Sequence, residues 1–314
     1  MSAEPSATRR RVLVDCDPGH DDAVALLLAA GDPRAELLGI TTVAGNQTLE
    51  RVTRNARTVA TVAGLTDVPI VAGSAGPLVR TLRTAPEIHG ESGLDGPAPI
   101  EPTVELTAGH GARFLAETVL AEPSRVTLVP TGPLTNVALA LRMYPEIAEA
   151  VERVVLMGGS YTRGNTTPAA EFNIFVDPEA AAAVFAADWD VTMIGLDVTH
   201  LALYTDAVGA RLASIDGRAA RWMAELMTFF AASYRTSGGM GAPPVHDAVA
   251  VASVIDPSLV TTLDARVEIE TASTLTRGMT VVDFRARDPV HHVGVGLDVE
   301  RFWDLVLTAV GALA

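Results

Sequence analysis

The sequence predicts one α/β domain, a mainly parallel sheet flanked on both faces by helices. Three observations predict it. Short β-branched runs alternate with longer helix-forming runs along nearly the whole chain, the pattern of parallel strands joined by helical crossovers. No repeat and no low-complexity linker interrupts the 314 residues, so a single domain is expected over residues 11–314. Residues suited to chemistry stand at or just after the ends of the expected strands, where open parallel sheets bind their ligands.

The first ten residues, MSAEPSATRR, have no apolar core and are expected as a flexible tail. Residues 12–14 (VLV) read as a buried strand. Pro18-Gly19 ends it, and the Ala/Leu run 23–30 favours a helix. Strand 37–43, amphipathic helix 48–63 and a short strand at 69–72 follow. Residues 73–107 are rich in Pro and Gly and lack a period; so long a loop in a compact domain is expected to be functional or ordered by short elements of its own. A helix over 108–121 leads to strand 126–129 and then to a helix from Leu134. Strand 154–157 precedes a second polar loop reaching Val176. Asp177-Pro178-Glu179 starts a helix, with an acid at the N-cap and proline in the first turn. Strand 191–196 should end at Asp197, and two helices should fill 205–237. The loop 237–244 (SGGMGAPP) stops at a helix opened by His246-Asp247. Strand-like pieces at 265–270 and 279–284 precede a C-terminal helix over 299–313, with Phe302, Trp303, Val306 and Val310 facing the core. On this reading Asp15, Asp17, Asn46, Thr131, Met157 and Asp197 share one rim.

Composition narrows the function. A net charge of −15 disfavours nucleic acid and anionic membranes, which attract basic patches. A neutral or cationic small molecule is the easier ligand. No apolar run reaches the length of a membrane span, and the lone Cys16 has no partner for an intrachain disulfide, so a cytoplasmic protein is expected.

Asp15, Asp17, Asp21 and Asp22 fall within eight residues at one strand-to-helix turn. Their mutual repulsion is relieved most simply by a hard cation with oxygen ligands, Ca²⁺ or Mg²⁺. The plainer alternative makes Asp21 and Asp22 first-turn acids favoured by the helix dipole, with Asp15 and Asp17 as turn formers. It accounts for two of the four. The spacing is not that of an EF-hand. Haloacid-dehalogenase-like phosphatases also end a strand in Asp-x-Asp, with Asp15 then the nucleophile, but they usually carry Thr or Val where this chain has Gly19. His246 at a helix start has a bland surface or packing reading. No phosphate-binding glycine motif is present.

Taken in order, DCDPGHDDAVALLLA, TTVAGNQT (41–48), HGESGLDG (89–96), VPTGPLTN (129–136), VLMGGSYTRGN (155–165), AEFNIFVDPEAA (170–181), GLDVTH (195–200) and VHDAVA (245–250) resemble the calcium-dependent nucleoside hydrolases, specifically the inosine–uridine-preferring ribonucleoside hydrolase group. The matching blocks run from about residue 11 to about residue 250. The resemblance implies a Rossmann-like core in a single catalytic domain. It also implies Ca²⁺-dependent hydrolysis of ribonucleosides to ribose and free base, in a homodimer or homotetramer. By resemblance, Asp17, Asp22, Asp247 and the Thr131 carbonyl hold Ca²⁺, and Asp17 is also the general base. Asp21 and Asn46 match groups that bind the 2′-hydroxyl side or orient the water. Asn165 and Glu171 match 5′-hydroxyl contacts, Asn173 the 3′-hydroxyl contact, while Met157 and Phe172 line the substrate pocket. His89, Tyr234 and His246 match the base side, His246 as the candidate acid. The chain departs from its best-matching relatives at Gly238 and Gly239, where they carry arginine and tyrosine, and at Ala248, where proline is common. Two further readings stay open on the sequence: a haloacid-dehalogenase-like phosphohydrolase, and a nucleoside-binding protein without catalysis.

Overall fold

A computed structural model describes residues 9–238 and 240–313. Its nine strands are β1 (Arg10–Cys16), β2 (Ala35–Thr42), β3 (Ile70–Ala72), β4 (Val126–Pro130), β5 (Arg153–Met157), β6 (Val191–Ile194), β7 (Val260–Ile269), β8 (Thr280–Asp283) and β9 (His291–Leu297). They form one sheet in the order β3-β2-β1-β4-β5-β6-β9-β7-β8. Pairing is parallel from β3 through β9, and β7 runs antiparallel to both β9 and β8. The α/β expectation holds.

The strand order reverses at β1, whose neighbours are β2 on one side and β4 on the other. Crevices for ligands open at such switch points. Register sharpens this, because Asp15 stands opposite Thr41 on β2 and Pro130 on β4. The three strands therefore end level, and the residues just beyond them, Asp17, Asn46 and Thr131, meet.

Helix His20–Gly31 follows β1 and is buried over its first ten residues. Its alanines and leucines cover every side, as a helix wrapped by other elements requires. It packs between helices His246–Ile255 and Val299–Gly311. Phe302, Trp303, Val306 and Val310 are buried as expected. Each fully buried leucine of the helix contributes about 2 kcal/mol of apolar transfer. A second apolar layer, from helices Gly111–Ala121, Thr135–Met143 and Pro178–Phe185, covers the opposite face.

The structure corrects several boundaries. β6 ends at Ile194, and the chain turns at once into helix Leu196–Thr199, so Asp197 lies in a helical first turn rather than at a strand end. The polar segment 73–107 contains the helix Pro86–His89, and the second polar loop closes with the helix Phe172–Val176. Strand β9 (HHVGVGL) was not anticipated; its two glycines hide the alternation of its valines. β1 begins at Arg10, inside the expected tail. The rest of that tail, residues 1–8, and Gly239 of the lid glycines lie outside the described residues.

Candidate active site

A cavity of about 500 Å³ opens over the carboxyl ends of β1, β2, β4 and β5. Its floor is the acid turn. Asp17 is fully buried, and its Oδ2 accepts the Asn46 backbone N–H at 2.6 Å. Among the described residues its Oδ1 has no hydrogen-bond partner. Gly45 and Gly132 make room for that carboxylate: a Cβ on either would lie 2.1 Å from Oδ2 or 2.7 Å from Oδ1. Asp22 accepts from the Thr131 hydroxyl at 2.8 Å and from the Gly19 backbone N–H at 3.0 Å. Carboxylate oxygens of Asp21, Asp22 and Asp247 lie within 4.8 Å of one another. The Asn46 side-chain amide donates to the Asp17 carbonyl at 3.2 Å and to Asp22 at 3.3 Å. Asp15 sits behind the floor, taking the Thr41 hydroxyl at 2.6 Å and the Asn136 amide at 2.8 Å on one oxygen.

Burial pushes all of these acids up. Asp21 rises to about 7, through burial and then the charge of Asp22. Asp22 rises to about 6, burial outweighing the N–H of Gly19 and the hydroxyl of Thr131. Asp17 and Asp247 stand well above the carboxylate range, driven by burial and then by the neighbouring aspartates. Gathered this closely, the acids disfavour one another's charged forms. An orphaned, fully buried carboxylate oxygen beside three converging acids suits a hard divalent cation.

One wall comes from the second polar loop. Glu171 caps helix Phe172–Val176, accepting the N–H groups of Asn173 at 2.9 Å and Ile174 at 3.1 Å, and it also takes the Gly159 N–H at 3.0 Å. Burial raises its pKa. Asn173 spends its amide on the carbonyls of Thr131 (2.7 Å) and Met157 (3.1 Å), which leaves its Oδ1 for a ligand. Asn165, exposed, accepts the Phe172 backbone N–H at 3.0 Å. Met157 and Phe172 complete this side.

The opposite wall carries the rings. His89, Tyr234 and His246 all line the cavity. His246 Nδ1 pairs with the Thr199 hydroxyl at 2.7 Å, and burial lowers the ring to about 3. Burial likewise holds His89 well below the usual histidine value. Tyr234 packs edge-on to Phe230 at 5.0 Å, and burial, then the charges of Asp21 and Asp247, raise its phenol.

Every expected substrate contact therefore lines one cavity, with Asp17 and Asp22 beneath it. Of the predicted rim, Asp15 lies behind the floor and Asp197 lies off the cavity. The Asp197 carboxylate binds the Ser160 hydroxyl (3.0 Å), the Tyr161 N–H (2.7 Å) and the Thr162 hydroxyl, so it clips the loop that carries Asn165 instead of facing the cavity. Sequence reasoning passed over Thr199, His200, Arg83, Arg163 and Phe230. The first two lay inside GLDVTH, where only proximity to a strand end could have marked them.

The model of the inosine-uridine preferring nucleoside hydrolases matches residues 12–304. The chain belongs to that family. It is 52% identical over 305 residues to an inosine-uridine preferring nucleoside hydrolase of Crithidia fasciculata, covering 96% of this chain and 97% of the relative. It is 45% identical over 303 residues to a pyrimidine-specific ribonucleoside hydrolase of a Shewanella strain, covering 95% of each. Among solved structures, the purine-preferring ribonucleoside hydrolase of Gardnerella vaginalis superposes with a TM-score of 0.91 at 33% identity, over 96% of this chain and 98% of that one. The nucleoside hydrolase described here is thus an N-glycosyl hydrolase of ribonucleosides. The phosphohydrolase alternative fails on two counts. Its nucleophile, Asp15, is buried behind the floor, and all 23 basic residues are arginine, so the lysine that chemistry uses is missing.

Proposed function

We propose that this nucleoside hydrolase is Ca²⁺-dependent and cleaves inosine, uridine and related ribonucleosides. The observation that carries the metal is the partnerless Oδ1 of Asp17 among three other buried acids. Asp17, Asp22, Asp247 and the Thr131 carbonyl would hold the ion. Asp21, whose carboxylate lies within 4.8 Å of those of Asp22 and Asp247, would face the ribose 2′ side. When bound, the cation neutralises the floor and lowers the pKa of an adjacent water.

The chain's own groups account for the remaining steps. Rupture of an N-glycosidic bond passes through an oxocarbenium-like state, which needs negative charge near the anomeric carbon and a water on the face away from the base. Asp17 takes that water's proton; a carboxylate that burial makes more basic is well suited to it. Asn46, tied to both Asp17 and Asp22, orients the water. Asn173 Oδ1 accepts from the 3′-hydroxyl, and Asn165 with Glu171 holds the 5′-hydroxyl, none of them adding positive charge beside the developing cation. Met157 and Phe172 bound the sugar. His246, neutral at rest because of its burial, relays a proton from solvent to the leaving base, and His89 and Tyr234 contact that base.

We also place the enzyme in the cytoplasm as a homo-oligomer acting through one domain over residues 11–314. The buried free thiol of Cys16 fits a reducing compartment. Exposed Leu263, Val281, Phe284 and Val290 on and around the β7–β8 edge supply apolar surface for a second copy. The test is ribose release from inosine, uridine, cytidine and adenosine, with and without chelator. Turnover of at least one, abolished by chelator and restored by Ca²⁺, is expected; no turnover of any, or full activity in excess chelator, rejects the reading.

A further inference from the structure

Behind His89 lies a second histidine that the proposed reaction does not use. His20 is fully buried at the start of the helix that carries Asp21 and Asp22. Its ring stacks on Phe230 at 4.8 Å and 7°, and on Phe229 at 5.4 Å and 10°. His20 Nε2 lies 2.9 Å from the Asp95 carbonyl, and His20 Nδ1 lies 3.2 Å from His89 Nδ1. The His20 backbone N–H also points at His89 Nδ1, at 3.3 Å.

These three contacts cannot all be hydrogen bonds while both rings are neutral. A carbonyl only accepts, so the His20 proton sits on Nε2 and its Nδ1 is a bare lone pair. If His89 Nδ1 were bare as well, two buried lone pairs would face each other at 3.2 Å, with only the long 3.3 Å contact in return. A proton on His89 Nδ1 converts that repulsion into a hydrogen bond. The group then left without a partner is the first N–H of a helix, a position that lacks an intrahelical acceptor in any case. No carboxylate oxygen bonds either ring among the described hydrogen bonds, and aromatic rings surround both, so the neutral forms are the relevant ones.

We infer that His20 is a positioning residue that holds His89 as its Nδ1–H tautomer, so that His89 turns a bare Nε2 toward the nucleobase and selects bases through their N–H donors. His89 lines the cavity, and its Nε2 has no protein partner among the described hydrogen bonds. Uracil and hypoxanthine both carry an amide N–H that can meet it. A nitrophenyl leaving group carries none. His89 thereby takes the recognition side of the base, leaving proton donation to His246 on the same wall. The inference rests on the nucleoside-hydrolase reading of the cavity.

The test is long-range ¹H–¹⁵N spectroscopy of the Ca²⁺-loaded enzyme labelled at its histidine rings, with His89 assigned by the signals lost in His89→Gln. A protonated Nδ1 and a bare Nε2 on His89 are expected; a protonated Nε2 overturns the inference. His20→Phe keeps the stack on Phe229 and Phe230 and removes the ring nitrogens. It should lower kcat/KM for inosine and uridine about tenfold, the value of one hydrogen bond, mainly through KM. Nitrophenyl riboside should be cleaved as before. An equal loss on all three substrates overturns the inference in favour of packing, and if His20→Phe does not fold, the wild-type spectrum decides alone. An enzyme inert towards every nucleoside would instead reject the function proposed above while leaving the ring protonation measurable.

Discussion

At the floor of the cavity, Asp17, Asp21, Asp22 and Asp247 are pushed up by burial, while at its histidine wall His89 and His246 are pushed down by it. Both shifts favour neutrality, but the two regions reach it differently. The wall is neutral on its own terms: His246 has Thr199, and His89 has His20. The floor retains a carboxylate oxygen with no partner and several like charges at close range. One region is complete as folded; the other is built for something that binds.

That contrast can be broken most sharply at Asp17. Asp17→Asn should lower kcat by about 10³-fold or more, because it removes the base. The same change removes one member of the repelling cluster, so the ion-free variant should melt no lower than the ion-free wild type. Near-normal turnover, or a clear drop in the ion-free melting temperature, would contradict the division.

Ion removal comes next in size. Ca²⁺ at a hundredfold excess over its dissociation constant should stabilise the wild type by about 2.7 kcal/mol, read as a rise in melting temperature over the chelated protein. His246→Ala should keep that rise, since the wall does not hold the ion. Loss of it in His246→Ala would mean that wall and floor are one unit.

His246→Ala itself should slow inosine cleavage about 10²-fold, the range of a lost general acid. Nitrophenyl riboside, whose leaving group needs no proton, should be spared. Comparable losses on both substrates would reassign His246 to sugar or ion placement.

Much of this site was legible in the sequence, and the reason differs between the two regions. The floor is mostly local: Asp15, Asp17, Asp21 and Asp22 come from one turn, and their crowding is visible without a fold. Asn46, Thr131 and Met157 were legible because a parallel sheet gathers its strand ends. The wall is not local. His20, His89, Thr199 and His246 come from four distant places, and which histidine nitrogen faces which partner depends on packing that no spacing encodes. Asp197 misled because β6 stops two residues before it could reach the rim, and β9 was missed because glycines diluted its pattern.

A histidine away from the cavity separates burial from function. His291 on β9 is buried, accepting the Val267 N–H on Nδ1 at 3.0 Å and donating Nε2–H to the Phe185 carbonyl at 2.9 Å. Burial lowers it below the usual 6.5, the Phe185 carbonyl partly opposing. Because the folded pKa lies below the unfolded one, the unfolded chain binds more protons as pH falls through 6.5. The stability that neutral His291 contributes is therefore complete above that pH and is lost as pH falls beneath it. His291→Gln should cost about 1–3 kcal/mol at pH 8, from two impaired hydrogen bonds. Its deficit relative to wild type should shrink between pH 7 and pH 5 in denaturant titrations of the Ca²⁺-loaded protein, with kcat unchanged. A deficit that widens with acid would show His291 to be a paired cation, and the neutral character of the cavity's histidines would then need a cause other than burial.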